Sequence, residues 1–185
     1  EKIAFEEFFD EYQCTLDIIE WPVLQFAGVE ADDIAAHLVK NKDAYGFKNM
    51  WLISSDRDWD LLIQEGVSRF SYVNRKEVTI DNWSDHYEVT PEEFISLKCL
   101  TGDKGDNVPG IPGIGPKRAF TLIKQYGDAF NIHDSAPIPG QYKYIESLNQ
   151  NYEQILQNYE LMDLVTYCDD AIGKQNIAEI KDNFI

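Results

Sequence analysis

The sequence predicts an α/β part over residues 1–88 followed by a helical part over residues 89–185. Three observations carry this division. Lys48-Asn49-Met50-Trp51-Leu52-Ile53-Ser54 reads as an apolar strand of the kind buried in a parallel sheet. Val67-Ser68-Arg69-Phe70-Ser71-Tyr72-Val73 alternates with period two, the mark of a second strand. From Thr90 onward the pattern turns helical.

In chain order, Ile3, Phe5, Phe8, Phe9, Tyr12, Leu16 and Ile19 recur at mostly helical spacing, which predicts an amphipathic helix over residues 3–19. Trp21-Pro22-Val23-Leu24-Gln25-Phe26 reads as a short strand stopped by Gly28, and Asp32 to Lys42 as the next helix. With the strand over 48–54, this strand, helix, strand order implies a right-handed crossover and a doubly wound sheet. The strand over 67–73 and Glu77-Val78-Thr79-Ile80 would lie at the sheet edge. Thr90-Pro91-Glu92-Glu93 supplies a capping residue, a proline at the first helical position and an acid at the third. Later helices are expected at Pro116–Tyr126, Gln141–Asn149, Tyr152–Leu161 and Gln175–Phe184.

At 185 residues the chain can bury one sizeable core, or one domain with a helical lobe. No apolar run approaches the roughly 18 residues that a membrane span needs, so no membrane partner is expected. Cys14, Cys99 and Cys168 are odd in number and scattered, without zinc or disulfide spacing, and the first residues lack a secretory signal. A cytoplasmic home follows as the expectation. The net charge of −17 opposes phosphate binding on average. Between Lys98 and Lys124, however, Lys98, Lys104, Lys117, Arg118 and Lys124 stand against Asp103 and Asp106, a local balance of +3.

Three acidic clusters are superimposed on this plan: Glu30-Ala31-Asp32-Asp33, Ser55-Asp56-Arg57-Asp58 and Gly102-Asp103-Lys104-Gly105-Asp106-Asn107. Acids at a helix start also serve capping and the helix dipole, so the first cluster has a purely structural use as well. Its place after a predicted strand adds to its composition, because open α/β sheets put ligand sites at the carboxyl ends of strands; the second cluster is placed likewise. Asp103 and Asp106 would share one face of a helical turn. Carboxylates are the ligands that hard divalent cations such as magnesium require, and carboxylates brought close repel unless cations or protons compensate. Two such ions roughly 3.5–4 Å apart suit phosphodiester cleavage.

The third cluster runs into Gly110-Ile111-Pro112-Gly113-Ile114-Gly115-Pro116-Lys117-Arg118. Gly110, Gly113 and Gly115 let a phosphate approach the backbone N–H groups. Pro116 pre-sets the first turn of a helix whose N-terminus then faces the anion, with Lys117 and Arg118 beside it. Such a grip positions nucleic acid without reading bases.

Gly28 through Asp33, Trp51 through Asp60, Phe94-Ile95-Ser96-Leu97-Lys98 and Gly102 through Arg118 together resemble the structure-specific 5′-nucleases, most closely the flap endonucleases (5′–3′ exonucleases) of tailed bacteriophages. Gly140 through Ile145 and Asp163 through Cys168 resemble that family's C-terminal region. The resemblance implies a parallel-sheet, PIN/5′-nuclease-like core and a helical C-terminal part with a helix-three-turn-helix motif at about residues 91–127. It implies metal-dependent hydrolysis of DNA by two magnesium ions, manganese substituting, to give a 5′-phosphate and a 3′-hydroxyl. By position, Glu30, Asp32 and Asp33 would bind the first ion, Asp56 and Asp58 would lie between the two, and Asp103 and Asp106 would serve the second. Glu30, Asp32, Asp56 and Asp58 form the implied catalytic set. Gly110, Gly113, Gly115, Lys117 and Arg118 would hold the duplex, with a potassium ion on backbone carbonyls for which Val108, Ile111 and Ile114 are the candidates. The implied partner is DNA with a 5′ flap or 5′ end, or an RNA/DNA hybrid.

Members of that family open with an aspartate-bearing strand and a basic helical arch, which this sequence lacks. Two expectations stay open: a C-terminal portion of a longer nuclease, or a DNA-binding subunit of a split nuclease that needs an N-terminal fragment or partner. In both, the sheet should expose apolar surface. Asp56-x-Asp58 after an apolar strand also echoes the haloacid-dehalogenase phosphatases, whose last acidic motif follows a strand, whereas here a helix precedes it.

Overall fold

The computed structural model describes residues 2–184. Helix α1 (Lys2–Ile18) forms where the spacing predicts it, and it leaves Phe8, Phe9, Tyr12 and Ile18 exposed. The side chains of Ile3 and Phe5, assigned to the same apolar face, lie outside the described residues. The stretch 21–26 is a correction to the predicted strand. It pairs with no strand among the described residues, and Pro22 has no N–H to offer a ladder. Leu24, Phe26 and Val29 instead pack on a cluster of Ile34, Tyr45, Ile172 and Ile180, so their period records packing against helices.

Helix α2 (Ala31–Lys40) buries Ala35, Ala36 and Val39 against β1 (Met50–Ile53) and β2 (Val67–Ser71). The sheet runs in the order β1-β2-β3, with β3 at Lys76–Val78. β1 and β2 are parallel, in register from Met50↔Val67 to Ile53↔Phe70, and β3 is antiparallel to β2. The doubly wound parallel sheet therefore reduces to one parallel pair among the described residues. The connection between β1 and β2, residues 54–66, carries a 3₁₀ turn at Asp58–Leu62. β1 is also less buried than its composition suggests. α2 covers Leu52, whereas Trp51 and Ile53 on the opposite face are 52% and 58% exposed. A strand at the end of a sheet, covered on one face, leaves alternate residues open.

Helix α3 (Pro91–Thr101) starts as predicted: the Thr90 Oγ1 accepts from the Glu93 N–H (3.3 Å), and a Glu93 carboxylate oxygen accepts from the Thr90 N–H (3.0 Å). A two-residue ladder of β4 (Gly102–Asp103) and β5 (Val108–Pro109) then leads into the glycine loop and α4 (Pro116–Tyr126). α6 (Lys143–Asn151), α7 (Glu153–Met162) and α9 (Lys174–Phe184) lie within two residues of their expected places. α5 (Ala129–Asp134) and α8 (Cys168–Ile172) were not expected, since each is too short to show a helical period. One apolar cluster joins Phe94, Leu100, Ile123 and Leu148 to Ile63, Val78 and Trp83, crossing residue 88.

Two glycines fix how α3 meets the loop. A Cβ on Gly110 would stand 2.1 Å from the Thr101 carbonyl oxygen, and one on Gly102, at φ +72°, 2.2 Å from the Gly110 nitrogen. Buried Asn158 on α7 clamps the same junction by donating from Nδ2 to the Cys99 and Pro109 carbonyls, both at 2.8 Å.

Candidate functional site

The three acidic clusters converge through two linkages. Asp32, in the first turn of α2, accepts a 2.7 Å hydrogen bond from the Trp59 indole N–H, which ties the first cluster to the loop of the second. Asp58 on that loop meets the third cluster, and carboxylate oxygens of Asp58, Asp103 and Asp106 lie within 4.8 Å of one another. Asp56 turns its Oδ1 to accept from the Asp58 N–H (2.9 Å), which bends the loop back on itself.

Lys98, on α3 and 8% exposed, bridges Asp58 and Asp103, the latter at 3.0 Å. Burial alone would lower its pKa, but the hydrogen bonds it donates to these carboxylates outweigh that effect and raise it. The Asp103 carboxyl is correspondingly held below its ordinary range by Lys98, with the Gly105 N–H (2.8 Å) assisting. Asp58 goes the other way. Burial pushes its pKa up, Lys98 opposes the rise, and Asp106 and Asp103 add to it. Asp32 is likewise raised by burial, against the Trp59 hydrogen bond, with further contributions from Asp56, Asp58 and Asp33. The site thus holds more negative charge than its one buried ammonium neutralises. Its donors are oxygens only, without sulfur or imidazole, a set that suits a hard divalent cation.

Of the sequence-assigned residues, Asp58, Asp103 and Asp106 come together, and Asp32 and Asp56 are tied to the loop of Asp58 through Trp59 and the Asp58 N–H. Glu30 and Asp33 sit at the start of α2, where the Asp33 Oδ2 accepts from the Glu30 N–H at 3.3 Å. Sequence reasoning missed Lys98 as a member of the site. Trp59 is a second such residue, its indole N–H reaching the Asp32 carboxylate.

In the hairpin, Gly113, Gly115, Lys117 and Arg118 are exposed, whereas Gly110 is partly covered by the close approach to Thr101. The Arg118 guanidinium donates to the Gly113 carbonyl (2.5 Å) and lies 4.8 Å from the centroid of the Tyr144 ring, so its charge is presented from a fixed place. Ile111 and Ile114 bury their side chains beneath the loop, and the Ile111 carbonyl accepts from the Ile114 N–H at 3.0 Å. The Val108 carbonyl faces Gly102.

Residues 89–182 match the family described as 5′-3′ exonuclease, C-terminal SAM fold. The flap endonuclease of Escherichia phage T5 is 42% identical over 176 residues, covering 94% of this chain and 60% of that protein. The chain therefore spans about 60% of the length of this curated relative. A structure of the phage T5 protein co-crystallised with metal ions superposes with a TM-score of 0.90 at 39% identity, covering 99% of this chain and 71% of that one. A pseudo-enzyme–product complex of the phage T5 flap endonuclease with DNA and metal ions gives 0.87 at 39% identity, covering 99% and 70%.

Proposed function

Because the chain belongs to the 5′-3′ exonuclease family, we propose that it carries out the metal-dependent, structure-specific hydrolysis of DNA at a 5′ flap or 5′ end. The observation that carries this reading is the approach of Asp58, Asp103 and Asp106 to within 4.8 Å in a site with excess negative charge. Asp103 and Asp106 would hold one divalent ion, Glu30, Asp32 and Asp33 the other, with Asp56 and Asp58 between. Two magnesium ions, when bound, would supply a water of lowered pKa and charge neutralisation at the scissile phosphate. Trp59 and Lys98 hold Asp32, Asp58 and Asp103 in place for that load. A water oxygen would add to phosphorus as the bond to the 3′ oxygen breaks, the water losing a proton to solvent and the departing 3′ oxygen taking one up, to leave a 5′-phosphate and a 3′-hydroxyl. Lys117, the fixed Arg118 and the N–H groups at the start of α4 would grip the duplex backbone, with potassium on carbonyls of Val108, Ile111 and Ile114.

A second reading is favoured by the exposed Trp51 and Ile53 on β1 together with the 60% span of the phage T5 relative. On this reading the chain binds DNA, and an N-terminal partner segment that covers β1 completes the nuclease. A 5′-flap duplex in magnesium separates the two. Cleavage by the chain alone supports the first reading, and cleavage only after adding the N-terminal segment of the phage T5 enzyme supports the second. In whichever form cuts, Asp103→Asn with Asp106→Asn should reduce cleavage at least a hundredfold and leave flap binding within about threefold. Retained cleavage would contradict the metal assignment.

A further inference from the structure

Arg57, the residue between Asp56 and Asp58, also lines a separate cavity of about 140 Å³ whose other walls include Arg69, Ser71, Lys76 and His86. In a chain with 33 acidic and 16 basic side chains, this lining holds two arginines, a lysine and a histidine, and no carboxylate. The charge of Arg69 is already matched, because its Nε and Nη2 donate to Asp60 (2.5 and 2.9 Å) and its Nη1 to the Ser54 carbonyl (3.0 Å). Tyr87 also spends its hydroxyl on Asp60, at 2.5 Å. Arg57 and Lys76 form no ion pair among the described residues, and both are exposed at the cavity.

An independent observation lies in the same wall. Ser71 is 2% exposed, and its buried Oγ has no hydrogen-bond partner among the described residues. A buried hydroxyl is ordinarily paired, and this one belongs to a residue that lines the cavity together with Arg57 and Lys76. Guanidinium, ammonium and hydroxyl groups without a competing carboxylate are the complement of a tetrahedral oxyanion.

We propose that this cavity binds a phosphate group of a nucleic-acid strand. The ligand's source rests on the nuclease reading, since Arg57 adjoins both aspartates of the second cluster and a strand held here passes beside the acidic centre. The phosphate is either a 5′-terminal monoester or an internal phosphodiester.

The test needs neither cleavage nor metal, so its failure is distinct from that of the nuclease reading. The ¹⁵N-labelled chain is titrated with inorganic phosphate, against sodium chloride of equal ionic strength, while the resonances of Arg57, Ser71, Lys76 and His86 are followed. Saturable shifts confined to these residues are expected, with binding at least tenfold weaker in Arg57→Ala/Lys76→Ala and at least threefold weaker in Ser71→Ala. A matched pair of short oligonucleotides, one 5′-phosphorylated and one 5′-hydroxyl, should move the same resonances. Stronger binding of the first supports the terminal monoester, and equal binding supports the phosphodiester. Shifts no larger than those from chloride, unaltered binding by the double variant, or binding of inorganic phosphate without either oligonucleotide would overturn the proposal.

Discussion

Lys98 and Asp32 show at the level of single residues how the acidic centre is held together. Lys98 is a buried cation kept charged by two carboxylates, while Asp32 is a partly buried carboxyl whose pKa is raised above 3.8 by burial and by its acidic neighbours. A carboxyl raised in the folded state favours its neutral form there, so ionising it costs stability. That cost is present at neutral pH and disappears as pH falls through the raised value towards 3.8. Asp32→Asn keeps an oxygen for the Trp59 N–H and removes the charge. Without divalent ions, its Tm should exceed the parent's at pH 7, and the gain should close as the pH is lowered to about 4. Thermal melts across that range check this, and a gain that persists unchanged in acid would count against it.

Among the elements, the α3–loop–α4 unit is the part whose geometry follows most directly from local sequence. Thr90 with Glu93 fixes one helix start and Pro116 another, because capping and proline act within one turn. The glycines between them are steric requirements: Gly110→Ala should destabilise the chain by about 2 kcal/mol or more, measured by urea unfolding, since its Cβ would meet backbone rather than a side chain that can move. An effect near zero would mean that the junction can open. Elsewhere local pattern was less informative. The residues 21–26 have strand composition, but pairing needs a neighbour that composition does not supply, and the helices around Ile34 and Ile180 take the apolar side chains instead. The apolar character of β1 was legible, whereas its half-exposure depends on what lies beside it. The acids of the site were legible as clusters. Lys98 was not, because its partner Asp58 lies 40 residues away in the chain and nothing local marks the contact.

For the whole molecule, charge distribution matters more than net charge. On the proposed reading, a chain at −17 would approach DNA through limited basic surfaces, and the hairpin with Lys117 and Arg118 would be the one that grips the duplex. Each neutralised phosphate contributes about −0.9 to the slope of log K against log salt. Lys117→Ala should therefore weaken duplex binding alike for unrelated sequences and reduce that slope by about 1, as read from anisotropy titrations at several salt concentrations. An unchanged slope would move the grip elsewhere. The central claim, that the converging carboxylates are a divalent-metal centre, is tested most directly by an anomalous difference map from crystals of the chain grown with manganese. Peaks are predicted among Asp58, Asp103 and Asp106 and beside Asp32 and Asp56, with the Lys98 ammonium withdrawn from Asp58; a map without peaks there, with Lys98 still bridging Asp58 and Asp103, would contradict it.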